Sequence, residues 1–301
     1  MTRLIGPEAE THLDWIGLTD ALAAGHDLPV AELEDVFLYQ GNRTLLNRSA
    51  WIAGLGLLVK AATVFPDNPA QGRPMVGGAV NLMSDDDGSL TAVLDFALVT
   101  KWKTAADSLL AARRLARPDS RDILIVGAGT VGASLRQAYA AAFPDARFTI
   151  WNRSADGAAR FAAEHGARVA QDLESAVRAA DIVTSATMTS APILQGDWFH
   201  PGQHIDLIGA YRPDMREADD AALRRARIFV DNRRTTMDHI GELKDPLARG
   251  VITPDDIIAD YYQLDRFTRS PDDITLFKNG GGGHLDLMTA DYIQRQVQAT
   301  A

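Results

Sequence analysis

Cysteine is absent from this 301-residue chain. That absence excludes disulfides, thiolate nucleophiles and cysteine-ligated metal sites. Long apolar runs are missing too: the longest, Trp51 to Val59, falls well short of the ~18 residues a membrane helix needs. Positive charge is in the minority, with 30 Lys and Arg against 40 Asp and Glu and a formal net charge of −10. Such a surface repels nucleic acid and anionic membranes alike, so neither is expected as a partner. Met1 to Glu10 lacks the basic-then-apolar pattern of a secretory leader, and a soluble cytoplasmic protein is the expectation. No His/Asp/Glu cluster has metal-ligand spacing, so no metal is expected.

What is present divides the chain by texture. Leu13, Ile16, Leu22 and Ala23 space an amphipathic helix that ends near Gly25. Leu55 to Phe65, Ala79 to Met83 and Leu90 to Phe96 read as strands, separated by turn residues. A helix is predicted from about Thr104 to Ala116, closed by Pro118. From Asp122 onward, short apolar strands (Ile123–Val126, Phe148–Trp151, Asp181–Ala186, His204–Ile208, Ile228–Val230) alternate with helical stretches. That alternation is the signature of an α/β fold, a Rossmann-type doubly wound parallel sheet. Ile274 to Lys278, the glycines 280–283 and Leu285 to Tyr292 read as strand, loop and helix returning to the first domain. The expected division is therefore 105–272 for the Rossmann domain, and 1–104 with 273–301 for a discontinuous α+β domain.

Gly127-Ala128-Gly129-Thr130-Val131-Gly132 satisfies G-x-G-x-x-G directly after an apolar strand and before a helix. In that context the glycines serve a tight turn, close approach of a pyrophosphate and helix–strand packing, and the helix N-terminus supplies N–H donors. The second strand ends in Trp151-Asn152-Arg153-Ser154. A site for NAD usually places a carboxylate there for the ribose 2′-OH. Here Asn152 is neutral and Arg153 offers a planar fork to a 2′-phosphate, so NADPH is preferred and NADH is possible. Two later strand ends, Ala186-Thr187-Met188 and Ile208-Gly209-Ala210, face the same edge, because ligands bind beyond the carboxyl ends of parallel strands. Met188 reads equally as core packing.

Lys60 stands within a strand-like run and either lines a pocket or snorkels from an edge. Lys103 is expected at the N-terminus of the helix before the first Rossmann strand, where a cation is unfavourable and an anionic ligand would compensate it. His284, beside the glycine loop, reads as structural or exposed rather than as an acid.

With these residues in view, the sequence resembles the ornithine cyclodeaminase/mu-crystallin family from about Trp51 to Tyr292. The resemblance rests on Lys60 with Val64-Phe65-Pro66-Asp67-Asn68 and on Val99 to Ser108 around Trp102-Lys103. It extends through the Gly-Ala-Gly loop, Trp151-Asn152-Arg153, Gly209 to Glu217 and Ile274 to Lys278. It implies a homodimer whose chain ends form a joint substrate and dimerisation domain, and a small cyclic imino-acid or amino-acid substrate. Its pocket lysine matches Lys60, and its basic residue at the helix start, usually arginine, matches Lys103. Cyclodeaminases carry an aspartate where Tyr211 stands here, which favours reduction over cyclodeamination. The family's early carboxylate-gripping arginine lacks a counterpart at the usual spacing; Arg48, or else Arg43, takes its place.

The resemblance thus implies NADPH-dependent reduction of a cyclic ketimine carboxylate, Δ1-pyrroline-2-carboxylate or Δ1-piperideine-2-carboxylate, with Lys60, Lys103 and Arg48 in the substrate site. Ornithine cyclodeaminase, an alanine-dehydrogenase-like enzyme and a non-catalytic crystallin-like binding protein are the alternatives.

Overall fold

The computed structural model describes residues 2–300. In chain order the first elements are β1 (Arg3–Ile5), α1 (Trp15–His26), β2 (Glu32–Gln40), β3 (Arg43–Ile52), β4 (Gly56–Val64), β5 (Val76–Met83), β6 (Leu90–Asp95) and α2 (Phe96–Leu115). Then come β7 (Asp122–Val126), α3 (Thr130–Ala142), β8 (Arg147–Trp151), α4 (Ala155–His165), β9 (Arg168–Val169), α5 (Leu173–Ala179), β10 (Ile182–Ser185) and β11 (His204–Leu207). The last are α6 (Asp220–Arg225), β12 (Arg227–Val230), α7 (Arg233–Thr236), α8 (Gly241–Ala248), β13 (Ile257–Ala259), β14 (Thr275–Lys278) and α9 (Gly283–Ala299). Two compact units result, one built from the described residues up to Lys103 together with those from Gly282 on, the other from Thr104 to Gly281.

The first unit is a six-stranded sheet in the order β1-β6-β5-β4-β3-β2, antiparallel except for the β1–β6 pair. β4 alternates buried and partly buried residues along its length, the period-2 pattern of a sheet with one covered face. α9 provides the cover: a Cβ on Gly283 would meet Ala50 and Arg48 of β3, and Leu287 lies beside Gly56 of β4. α1 buries Leu18 and Leu22, and its Gly25 lies against Met288 of α9. Asp14 caps α1 by accepting the Gly17 N–H at 2.6 Å.

α2 begins eight residues earlier than the sequence suggested, at Phe96. The signal is Asp95, whose Oδ1 accepts the Leu98 N–H at 2.7 Å and starts the helix where β6 stops. Lys103 is therefore two turns inside α2 rather than at its N-terminus, and the expectation of an uncompensated cation at a helix start is wrong.

The second unit is an eight-stranded, wholly parallel sheet in the order β13-β12-β14-β11-β10-β7-β8-β9. The chain departs from β7 in one direction through β8 and β9 and in the other through β10 and β11. The topological switch point thus lies between β7 and β10. Leu124, Val126, Val183, Ile205, Leu207, Ile228 and Leu276 share its core. β14 corrects the expected division at residue 273. It lies between β11 and β12, fully buried along its length, and the chain re-enters the first unit only at Gly282. Its continuous burial, without the alternation of β4, is what a central parallel strand requires.

Because Leu276 packs in the middle of this sheet with no exposure, Leu276→Ala is expected to cost about 2–5 kcal/mol. Urea unfolding checks this; a loss under about 1 kcal/mol would contradict the burial of β14.

Candidate active site

In the second unit, β7 delivers the chain into a turn at Gly127, whose φ of +111° suits glycine and whose Cβ would press on the Ala186 carbonyl at 2.9 Å. α3 then begins with no side chain capping its N-terminus, and its N-cap Gly129 is exposed with open space where a Cβ would stand. Open donors at the start of a 13-residue helix, reached without a Cβ in the way, fit a dinucleotide pyrophosphate. Ala128, Thr130 and Val131 belong to this loop and the first turn, none of them fully buried.

The end of β8 divides its labour. Asn152 Oδ1 accepts the Ala128 N–H at 3.2 Å, and its Nδ2 donates to the Ser154 carbonyl at 3.1 Å, so this side chain braces the glycine loop. Ser154 Oγ caps α4 through the Gly157 N–H. Arg153 is exposed. At the other strand ends, Thr187 is partly buried and Ile208 buried, whereas Met188 is 72% exposed, which removes core packing as its role.

Sequence reasoning missed the group that organises these ends. Glu217, fully buried, accepts from Ser185 Oγ at 2.6 Å, Thr187 N at 2.7 Å and Thr187 Oγ1 at 2.8 Å on one oxygen. Its other oxygen accepts from Gly209 N at 2.5 Å and Ala210 N at 3.3 Å.

In the first unit, register brings the predicted cations together. Arg48 of β3 is paired directly with Lys60 of β4, so both side chains share the face that α9 covers. Lys60 Nζ donates to Asp286 Oδ1 and to Thr100 Oγ1, each at 2.8 Å, and lies 4.8 Å from the centre of the Phe96 ring. Arg48 lies 3.8 Å from the other Asp286 oxygen and makes a paired grip on Asp35 at the rim, 2.7 Å at its shortest. Lys103 is buried in the same group. Arg43 is exposed, its guanidinium 5.2 Å from the Phe65 ring centre. Asp286 is fully buried and was not singled out in the sequence; the signal was an acid in the first turn of a helix, where the dipole favours it.

The electrostatics follow from burial and this charge count. Burial pushes the Lys60 ammonium below the usual lysine range, Asp286 pulls it partly back, and Lys103 and Arg48 push it down further. Burial alone would raise Asp286, but Lys60, Lys103 and Arg48 together hold its carboxyl below the ordinary range. His284 is buried rather than exposed, edge-on to His26, and burial drives both well down, His26 to about 4. Both are therefore neutral near pH 7. Three cations face Asp286 and the rim carboxylate of Asp35, which leaves one positive charge to attract an anion.

A parallel Rossmann sheet with an open glycine loop in one unit, and a buried cationic cluster in the other, are the features of an oxidoreductase of the dinucleotide-dependent class. The chain belongs to the ornithine cyclodeaminase/mu-crystallin family, whose description matches residues 51–301. It is 50% identical over 298 residues to the Δ1-pyrroline-2-carboxylate reductase of Paracoccus denitrificans, covering 96% of this chain and 94% of that one. Its fold matches the Thermococcus litoralis Δ1-pyrroline-2-carboxylate reductase solved with NADH and L-proline, with a TM-score of 0.88, 22% identity and coverage of 99% and 98%. An archaeal alanine dehydrogenase dimer with bound NAD matches with a TM-score of 0.89, 25% identity and coverage of 99% and 97%.

Breaking the buried pair leaves Lys60 without its counter-charge, so Asp286→Asn is expected to cost about 3 kcal/mol at pH 7. Asp286 titrates lower in the folded state, so its contribution is complete above the unfolded value of about 3.9 and is lost as pH falls through the folded one. The gap between the urea midpoints of the two proteins should therefore hold from pH 7 to about 4 and narrow only as pH falls below about 3.9; a gap that stays constant below that point would place the effect outside this ion pair.

Proposed function

We propose that this protein reduces a cyclic ketimine carboxylate, Δ1-pyrroline-2-carboxylate or its six-membered homologue Δ1-piperideine-2-carboxylate, to proline or pipecolate with NADPH. The observation that carries the reading is the buried Lys60–Asp286 pair with Arg48 and Lys103 around it. A bound nicotinamide supplies the hydride. The protein's own groups then have two tasks. Arg48 and Lys103 hold the substrate carboxylate, using the positive charge the cluster leaves over. Lys60 gives the imine nitrogen its proton: Asp286 keeps the ammonium charged and aimed, while burial makes it a stronger acid than an exposed lysine. Thr100 holds Lys60 from a second direction. The loop after β11 supports reduction over cyclodeamination, because Tyr211 stands where cyclodeaminases carry an aspartate and is itself half exposed.

NADPH over NADH rests on Arg153, exposed at the end of β8 with no acidic residue among Asn152, Arg153 and Ser154. A homodimer is supported by β2, a nine-residue strand at the edge of its sheet that exposes the apolar run Val36, Phe37, Leu38 and Tyr39; an exposed apolar stretch at a sheet edge invites a partner. Among the described residues no helix is long and apolar enough to cross a membrane.

Absorbance at 340 nm with both cyclic imines tests the reaction. Lys60→Met is expected to lower kcat by at least about a hundredfold while leaving NADPH affinity within about twofold; full activity in this variant would remove lysine from the mechanism. Arg153→Ala is expected to raise KM for NADPH about tenfold or more and to leave NADH nearly unchanged. Equal losses with both nucleotides would end the case for a 2′-phosphate site.

A further inference from the structure

The Rossmann unit contains a second buried polar assembly that the hydride reaction does not itself require. Glu217 sits in the loop after β11 with no exposure, and its two oxygens accept five hydrogen bonds from the ends of β10 and β11. Its own backbone is held in turn: Glu242, equally buried, accepts the Glu217 N–H at 2.7 Å and the Ala218 N–H at 3.0 Å. The buried Lys278 of β14 attracts both carboxylates while its Nζ donates to the Leu207 and Asn279 carbonyls at 3.0 and 2.7 Å. The strand ends so joined are very close. A Cβ on Gly209 would stand 1.9 Å from the Thr187 carbonyl oxygen, so only glycine fits there.

On the reading of a dinucleotide at this sheet edge, the switch point divides the cofactor. The adenosine half belongs on the β7–β8 side, with the glycine loop and Arg153, and the nicotinamide half on the β10–β11 side. Every hydrogen bond that the Glu217 side chain accepts lies on the second side. None reaches the glycine loop or β8.

We propose that Glu217 is a positioning residue for the nicotinamide half of the cofactor, acting as a carboxylate clamp that fixes the Thr187 and Gly209 backbone. This rests on the nicotinamide-dependent reading above. A carboxylate is required because each of its oxygens faces a backbone N–H that can only donate; an amide would aim its N–H₂ at the Thr187 N–H or at the Gly209 and Ala210 N–H groups, whichever way it turned. Buried acceptors lost from such a network are costly, and the cost falls on the geometry of the strand ends.

The test measures binding to the protein without substrate, by fluorescence titration with NADPH and, separately, with 2′,5′-ADP, which carries only the adenosine half. Glu217→Gln is expected to weaken NADPH about tenfold or more and to leave 2′,5′-ADP within about twofold. Ser185→Ala, which removes one donor and leaves the rest, is expected to weaken NADPH by a smaller factor with the same selectivity. It serves as the deciding variant if Glu217→Gln does not fold. Unchanged NADPH affinity, or equal weakening of both ligands, would overturn the clamp and leave Glu217 a general structural residue. If the unaltered protein bound neither ligand, the dinucleotide reading itself would fall, which is a distinct result.

Discussion

The Lys60–Asp286 ion pair joins residues 226 apart in sequence and lies wholly inside the first unit. Removing two charges from water costs several kcal/mol each, and the attraction between them repays this only when the remaining polar atoms are also served. Here Thr100 serves the ammonium, while the second carboxylate oxygen makes no hydrogen bond and has only the charge of Arg48 3.8 Å away. The pair requires that β3 and β4 be in register, that α2 begin at Phe96, and that α9 lie across the sheet with its first turn over Arg48. A slip of one residue along β4 would turn Lys60 to the opposite face and take from Asp286 its hydrogen-bonded counter-ion.

The second unit solves a different electrostatic problem by the same means. Glu217, Glu242 and Asp231 are buried carboxylates, and each accepts backbone N–H groups, while Lys278 is buried among them. Burial pushes Glu242 up to about 7, with the charge of Glu217 adding to it and Lys278 opposing. The charges thus tie loops to strand ends where the sheet's own hydrogen bonds run out. Elsewhere the sheet is held by apolar packing between Leu124, Val183, Ile205 and their neighbours.

Much of this was legible in the sequence where a local rule governs. The strands β7, β8, β10, β11 and β12 read as short apolar runs, and the glycine loop reads from its place between strand and helix. Lys60 and Arg48 were legible as candidates, although only register makes them neighbours. Three features were not. β2 and β3 carry polar and apolar residues without clean alternation, because β2 is an edge exposed on both faces. The start of α2 was hidden because Asp95 ends a strand and caps a helix at once. Asp286 and Glu217 look like ordinary acids in sequence; their roles come from long-range burial, which local pattern does not encode.

The discontinuous first unit also sets an order of events during synthesis. Residues 104–281 form a complete unit in one uninterrupted stretch, and domains generally fold as units as they emerge from the ribosome. The six-stranded sheet is made much earlier, yet its covering helix comes only after the entire second unit. Until α9 is released, the face bearing Leu58, Lys60 and Ala62 lacks both its apolar lid and its counter-ion. The nascent sheet must wait, half-covered, until the whole of the second unit has been translated and α9 emerges behind it.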